Sequence, residues 1–171
     1  MELIPYVIWV FIQAACQKFQ VDVKLFVAIG LHEKGRYAWD DAVLGDLADG
    51  LSVSPMQLNL NGAGAPPIGW TRQAWANELT KPAVWTDVAA SYIDSLYRLK
   101  GDNIEAVVAA YNRGPDGTVD NYQSYVAPVL ANYRLLQAEG ISHQGSADHD
   151  FQEFAPNTGE WREAAVNLKG V

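Results

Sequence analysis

The sequence predicts a mainly α-helical domain, broken by one long irregular loop with room for a small β-hairpin. Three observations predict it. Apolar residues recur at helical spacing in several separate segments. Residues 36–70 instead carry turn signals, namely Gly45-Asp46, Asp49-Gly50, Gly62-Ala63-Gly64 and Pro66-Pro67. Hydrophobic residues make up 49% of the 171, enough for one domain with a core of its own.

Pro5 suits the first turn of a helix, and Ile8, Phe11, Ile12, Ala15 and Phe19 follow at helical spacing. Residues 22–34 form the second helix, with Asp22 as N-cap and Gly35 as the C-terminal stop. In the loop, Leu51-Ser52-Val53 after Asp49-Gly50 reads as one arm of a hairpin. A loop this long inside a compact domain usually carries function. Thr71 caps a short helix over 72–79. Pro82 opens a longer helix to Lys100, with Trp85, Val88, Ala89, Tyr92, Leu96 and Leu99 inward. Gly101 ends it and Asp102 caps the next, where Ile104, Val107, Val108 and Tyr111 follow the i, i+3, i+4, i+7 pattern. Gly114-Pro115-Asp116-Gly117 is a turn. Residues 121–137 are helical in pattern, with Pro128 marking a kink or a handover between two helices. This divides the chain into a domain over 1–139 and an extension over 140–171. The extension begins as a polar linker or surface segment, and Asn157 with Glu160 resembles a capping box for a short last helix.

Composition excludes several functions. A formal net charge of -8 argues against nucleic acid and anionic membrane surfaces as partners. The lone Cys16 excludes an internal disulfide and reads as a buried, inert thiol. His32, His143 and His149 are too scattered for a metal site, and no cofactor is expected. The apolar run over 4–15 is interrupted by Gln13 and preceded by no Lys or Arg, so it reads as a core helix rather than a signal. It is also shorter than the ~20 residues of a membrane span.

One residue conflicts with its surroundings. Glu33 falls four residues after Ile29 and eight after Leu25, on the apolar stripe that Phe26 also shares. Burying a carboxylate costs free energy unless it is paired or neutralised. The negative end of the helix dipole disfavours it further. Both effects raise a pKa, which suits a general acid near neutral pH. From this helix alone, a Glu at a frayed end that simply reaches water is the leading explanation.

Two further motifs change that balance: Ser54-Pro55-Met56-Gln57-Leu58-Asn59 and Ala109-Ala110-Tyr111-Asn112-Arg113-Gly114. With Glu33, in this order, they resemble the lysozyme-like domain of soluble lytic transglycosylases and goose-type lysozymes, over residues 11–136. The resemblance implies cleavage of the β-1,4 bond between N-acetylmuramic acid and N-acetylglucosamine in peptidoglycan. It implies that Glu33 is the catalytic acid and that Met56 and Gln57 shape the sugar-binding floor. Tyr111 and Asn112 then face the cleft, and Tyr125 lies near Glu33. Asn59 occupies a position where goose-type lysozymes carry an Asp, and cannot act as a base. Asp46 resembles those enzymes' loop Asp, but reads equally as turn chemistry beside Gly45, and for Asp49 in Asp-Gly the turn reading leads. Trp39 and Trp70, in or beside the loop, are candidates for sugar stacking, whereas Trp9, Trp75 and Trp85 read as core. The chain departs from the family pattern at Lys34, where Ser is usual, and at Ser54-Pro55, where Gly-Leu is usual.

An ordinary glycosidase needs two carboxylates. A lytic transglycosylase, by resemblance, needs one, because the muramic acid's own 6-hydroxyl closes on the anomeric carbon. A hydrolase using Asp46, a non-catalytic wall-binding or virion structural protein and a chitin- or chitosan-cleaving enzyme are the rival readings. The absence of a signal pattern fits a phage-encoded enzyme that reaches the wall in a virion or through a holin. Residues after Gly140 would then tether it to a larger assembly.

Overall fold

A computed structural model describes residues 3–41, 52–119 and 123–144. In chain order the elements are β1 (Ile4–Pro5), α1 (Tyr6–Phe19), α2 (Val23–Glu33), β2 (Ser52–Val53), β3 (Leu58–Asn59), α3 (Arg72–Glu78), α4 (Pro82–Lys100), α5 (Ile104–Arg113), α6 (Gln123–Glu139) and β4 (His143–Gln144). The expected mainly helical architecture is present. The hairpin is the antiparallel pair β2–β3, with Ser52 opposite Asn59 and Val53 opposite Leu58.

α2 is the central helix. Asp22 caps it, its carboxylate accepting from the Lys24 N–H at 2.8 Å. Gly35, at φ +53, follows its C-terminal end in the left-handed conformation that glycine tolerates. Leu25 through Gly30 are all buried. The apolar surface is therefore not the single stripe expected from Leu25, Phe26 and Ile29; neighbours cover the helix on every side. α4 lies along α1, and α6 along α2. At Gly30 the approach is so close that a Cβ would sit 2.4 Å from Trp39 and 2.9 Å from the Met56 sulfur.

Several expected details shift. The helix after Gly101 is capped by Asn103, not Asp102; the Asn103 side chain accepts from the Ala106 N–H at 3.0 Å. Asn is as good a cap as Asp, so the register was open by one residue. Leu99, expected inward, is exposed, because the buried stripe of α4 runs through Trp85, Ala89, Ile93 and Leu96 and leaves Leu99 off its line. α6 passes through Pro128 as one helix rather than handing over to a second. After Gly140 the chain returns to its start: β4 pairs in parallel with β1, and His143 stacks on Trp9 at 5.5 Å. Cys16 is buried, and burial followed by the nearby Asp22 charge pushes its thiol up to about 12, leaving it unreactive as expected. No helix among the described residues is long and apolar enough to cross a membrane. The expected capping box at Asn157 and Glu160 lies outside the described residues.

Candidate active site

Glu33 is the last residue of α2 and is only partly exposed. Its Oε1 accepts from the Tyr125 hydroxyl at 2.5 Å, a bond joining the end of α2 to the first turns of α6. Burial raises the Glu33 carboxyl from its ordinary 4.5 to about 7, and the Tyr125 bond opposes that rise. At neutral pH the group is poised between acid and base, as general acid–base chemistry requires.

Tyrosines surround it. Tyr125 is buried, and its hydroxyl is held protonated by burial first and then by the Glu33 charge. Tyr111, from α5, is buried and shifted in the same direction by burial, then Glu33, then Tyr92. Its hydroxyl donates to the Met56 carbonyl at 2.9 Å, fastening the hairpin turn to α5. Tyr92 of α4 lies 5.4 Å from the Tyr111 ring and donates to the Ala110 carbonyl at 3.3 Å. Tyr125 thus donates to the carboxyl, Tyr111 stands close enough to feel its charge, and Tyr92 backs Tyr111.

The hairpin turn joins this arrangement through Tyr111. Ser54 and Gln57 adopt positive φ of 71 and 50, unusual for residues with a Cβ. Each costs of the order of 1 kcal/mol, offset by surrounding contacts. Ser54 is fully buried; its hydroxyl accepts from the Met56 N–H at 3.3 Å, and its carbonyl accepts from the Gln57 N–H at 3.0 Å. The Gln57 side-chain amide also donates to the Ser54 carbonyl, at 3.3 Å. Asn59 organises the following turn, its side chain accepting from the Asn61 N–H at 2.8 Å and its carbonyl from Gly62 and Gly64. Asn112 is exposed at the end of α5.

One placement corrects the sequence reading. Trp39, expected to offer a stacking face, has no exposed surface and stacks on Trp85, which in turn stacks on Phe26. Gly30 opens the space that lets this indole in, so an aromatic beside a loop became core. Met56 is likewise fully buried, its sulfur against Gly30 and its carbonyl accepting from the Tyr111 hydroxyl. Trp70 remains exposed, packed edge-on against Trp75. Trp75 itself is half-buried and donates to the Gly64 carbonyl at 3.0 Å. Asp46 and Asp49 lie outside the described residues, as do residues 145–171, where the assembly contact was expected.

The sequence reading gave no site role to two neighbours of Glu33. His32 packs edge-on against the Tyr125 ring, 4.8 Å between centroids, and burial lowers its pKa, so it is neutral at neutral pH. Lys34 is buried and donates to the Tyr37 carbonyl at 2.8 Å, a place where the family's usual Ser has no counterpart. Adjacency to Glu33 was the signal for His32, and the departure from the usual Ser was the signal for Lys34. A groove of about 570 Å³ is lined by Phe19, Ala63, Val88, Tyr92 and Pro115 among others, and Glu33 is not part of its wall. Of Tyr92, Tyr111 and Tyr125, Tyr92 alone lines it.

The Tyr125 bond makes a direct prediction. Tyr125→Phe removes the group that favours the charged carboxylate, so the Glu33 midpoint rises. A hydrogen bond to a charged group is worth about 1.5–3 kcal/mol, which corresponds to roughly one to two pH units. The alkaline limb of the pH–rate profile should move up by that amount as the maximal rate falls.

Residues 10–129 match the family described as Transglycosylase SLT domain. No curated protein and no solved structure matches the chain. The match covers well over half of the chain and includes Glu33, the hairpin motif, the Tyr111-Asn112 pair and Tyr125. The chain belongs to the transglycosylase SLT family, whose lysozyme-like domains cleave peptidoglycan.

Proposed function

We propose that this protein is a lytic transglycosylase in which Glu33 alone carries proton transfer. The observation that supports this reading most is the buried Glu33 carboxyl, raised to about 7 and held by Tyr125. Protonated Glu33 donates to the glycosidic oxygen that leaves from N-acetylmuramic acid. The bond to the anomeric carbon breaks, and the sugar's own 6-hydroxyl forms the new bond there. The Glu33 carboxylate takes the proton released by that hydroxyl, which restores the acid. No water is consumed and the product carries a 1,6-anhydro ring.

Tyr125 aims the Glu33 carboxyl and limits the rise of its pKa. Tyr111 holds the hairpin turn, and Gln57, Asn59 and Asn112 line the approach as amides suited to sugar hydroxyls and acetamido groups. Trp70 offers the exposed aromatic face for a sugar ring.

Digestion of purified sacculi with product masses read out tests the reading. Anhydro-muropeptides, about one water lighter than hydrolytic products, are expected. Reducing ends instead would show that a positioned water completes the reaction, with Asp46 as the first residue to mutate. No products would leave a wall-binding protein on an enzyme's scaffold.

A further inference from the structure

The far end of α2 carries a second tyrosine–carboxylate bond. The Tyr133 hydroxyl donates to Asp22 Oδ2 at 2.5 Å. Tyr125 and Tyr133 are both on α6, and Asp22 and Glu33 are at the two ends of α2. The helices therefore run antiparallel with a directional bond at each end of their contact. The spans agree: eleven residues of α2 rise about 16 Å and eight of α6 about 12 Å, and the tyrosine side chains make up the difference.

Between the two bonds the contact is apolar. Val126 and Val129 of α6 are buried, and so are Leu25 through Ile29 of α2. Apolar packing is non-directional, so it resists separation of the helices more than a small slide along their length. Hydrogen bonds weaken steeply once distance or angle departs from its narrow optimum. A displacement of 1 Å at Asp22 would thus be felt at Glu33. Asp22 has a second task, because its other oxygen caps α2 through the Lys24 N–H. The tyrosine bond is therefore anchored on the residue that fixes where α2 begins. Burial, then the Asp22 bond, pushes the Tyr133 hydroxyl up to about 12, so it remains a donor throughout the working pH range.

We propose that Asp22 and Tyr133 are positioning residues for Glu33: their bond sets α6 along α2 so that the Tyr125 hydroxyl meets the carboxylate at the opposite end. Its bearing on rate rests on Glu33 being the acid; the coupling between the two bonds does not. The other titratable groups near Glu33 among the described residues are His32 and Lys34 beside it, Tyr111 of α5 and, behind Tyr111, Tyr92 of α4. None of these changes in the variants below.

The test follows the Glu33 side-chain carboxyl by carbon NMR through a pH titration, the resonance being assigned with Glu33→Gln. The variants are Tyr133→Phe and Asp22→Ser; the serine keeps a capping oxygen but is too short to reach Tyr133. Both should move the Glu33 midpoint upward, the direction expected for Tyr125→Phe, by about half a pH unit, or roughly three-fold in the ionisation constant. The double variant Tyr125→Phe/Tyr133→Phe should titrate like Tyr125→Phe alone, because one effect acts through the other. A Glu33 midpoint unchanged in Tyr133→Phe and Asp22→Ser, with only a lower melting temperature, overturns the proposal. So do shifts that simply add in the double variant. Asp22→Ser decides the matter if Tyr133→Phe does not fold. Sacculus digestion by Glu33→Gln, run in parallel, reports on the acid assignment separately, since the titration reads the coupling whether or not Glu33 drives cleavage.

Discussion

Glu33→Gln should lower peptidoglycan cleavage by about 10²–10⁴-fold, the usual contribution of a positioned general acid, while leaving the protein folded. Glutamine has the same length and can still accept from Tyr125, so the α2–α6 contact keeps its bond. What is lost is the transferable proton. In the wild-type chain the rate should fall as pH rises through about 7, because the acid must be protonated to act. Stability gives an independent reading of the same group. A carboxyl whose folded pKa lies above its unfolded value of 4.5 costs nothing below that pH, where both states are protonated. The cost grows through the window from 4.5 to about 7 as the unfolded chain ionises more readily than the folded one. Above that window it reaches up to about 3 kcal/mol, reduced by whatever solvent reaches the group. Glu33→Gln should therefore melt higher than wild type at pH 8 and at a similar temperature at pH 4. A difference that does not vary with pH would show that Glu33 is ordinarily solvated and is not the poised acid.

Trp39→Ala should be the most destabilising substitution in the core, by about 3–5 kcal/mol. The indole has no exposed surface and lies in a row with Trp85 and Phe26, each centroid 6.4 Å from the next. For a chain of this size that is a drop of roughly 10 °C in melting temperature. Gly30 supplies the companion experiment. Gly30→Ala alone places a Cβ 2.4 Å from the Trp39 ring and should cost about 1–3 kcal/mol through overpacking. In the Trp39→Ala background the ring clash is gone and only the flexible Met56 thioether has to yield, into the space the indole leaves, so alanine's better helix propensity should return up to about 1 kcal/mol. The sign of the Gly30 effect thus reverses. If Trp39→Ala instead leaves the melting temperature unchanged and weakens only substrate affinity, the indole is a sugar platform after all.

The helices and their order were legible because their apolar spacing, caps and stops agree with one another. Asp22, Thr71, Pro82 and Gly101 each mark a boundary that the structure keeps. The misplaced details have local physical reasons. Asp102 and Asn103 are both good caps, and propensity does not choose between adjacent ones. A proline inside an apolar periodic run reads as a kink or a handover, and α6 passes through Pro128 without a handover. Trp39 beside a loop looks like a surface aromatic until the hole above Gly30 is known, and that hole is made by residues on two other elements.

The sequence by itself determined that this is a helical, peptidoglycan-directed domain, and it singled out Glu33 with its motif companions. Residue type and spacing along one chain carry that much, because secondary structure and family motifs are local. Only the tertiary structure decided what surrounds the acid. It set the Tyr125 hydroxyl on Glu33, the Tyr111 hydroxyl on Met56 and the Tyr133 hydroxyl on Asp22, contacts spanning 92, 55 and 111 residues of chain. A carboxyl's pKa depends on which groups desolvate it and which donate to it, and those groups arrive from helices distant in sequence. The Glu33 carboxyl is therefore placed by α2 and tuned by α6.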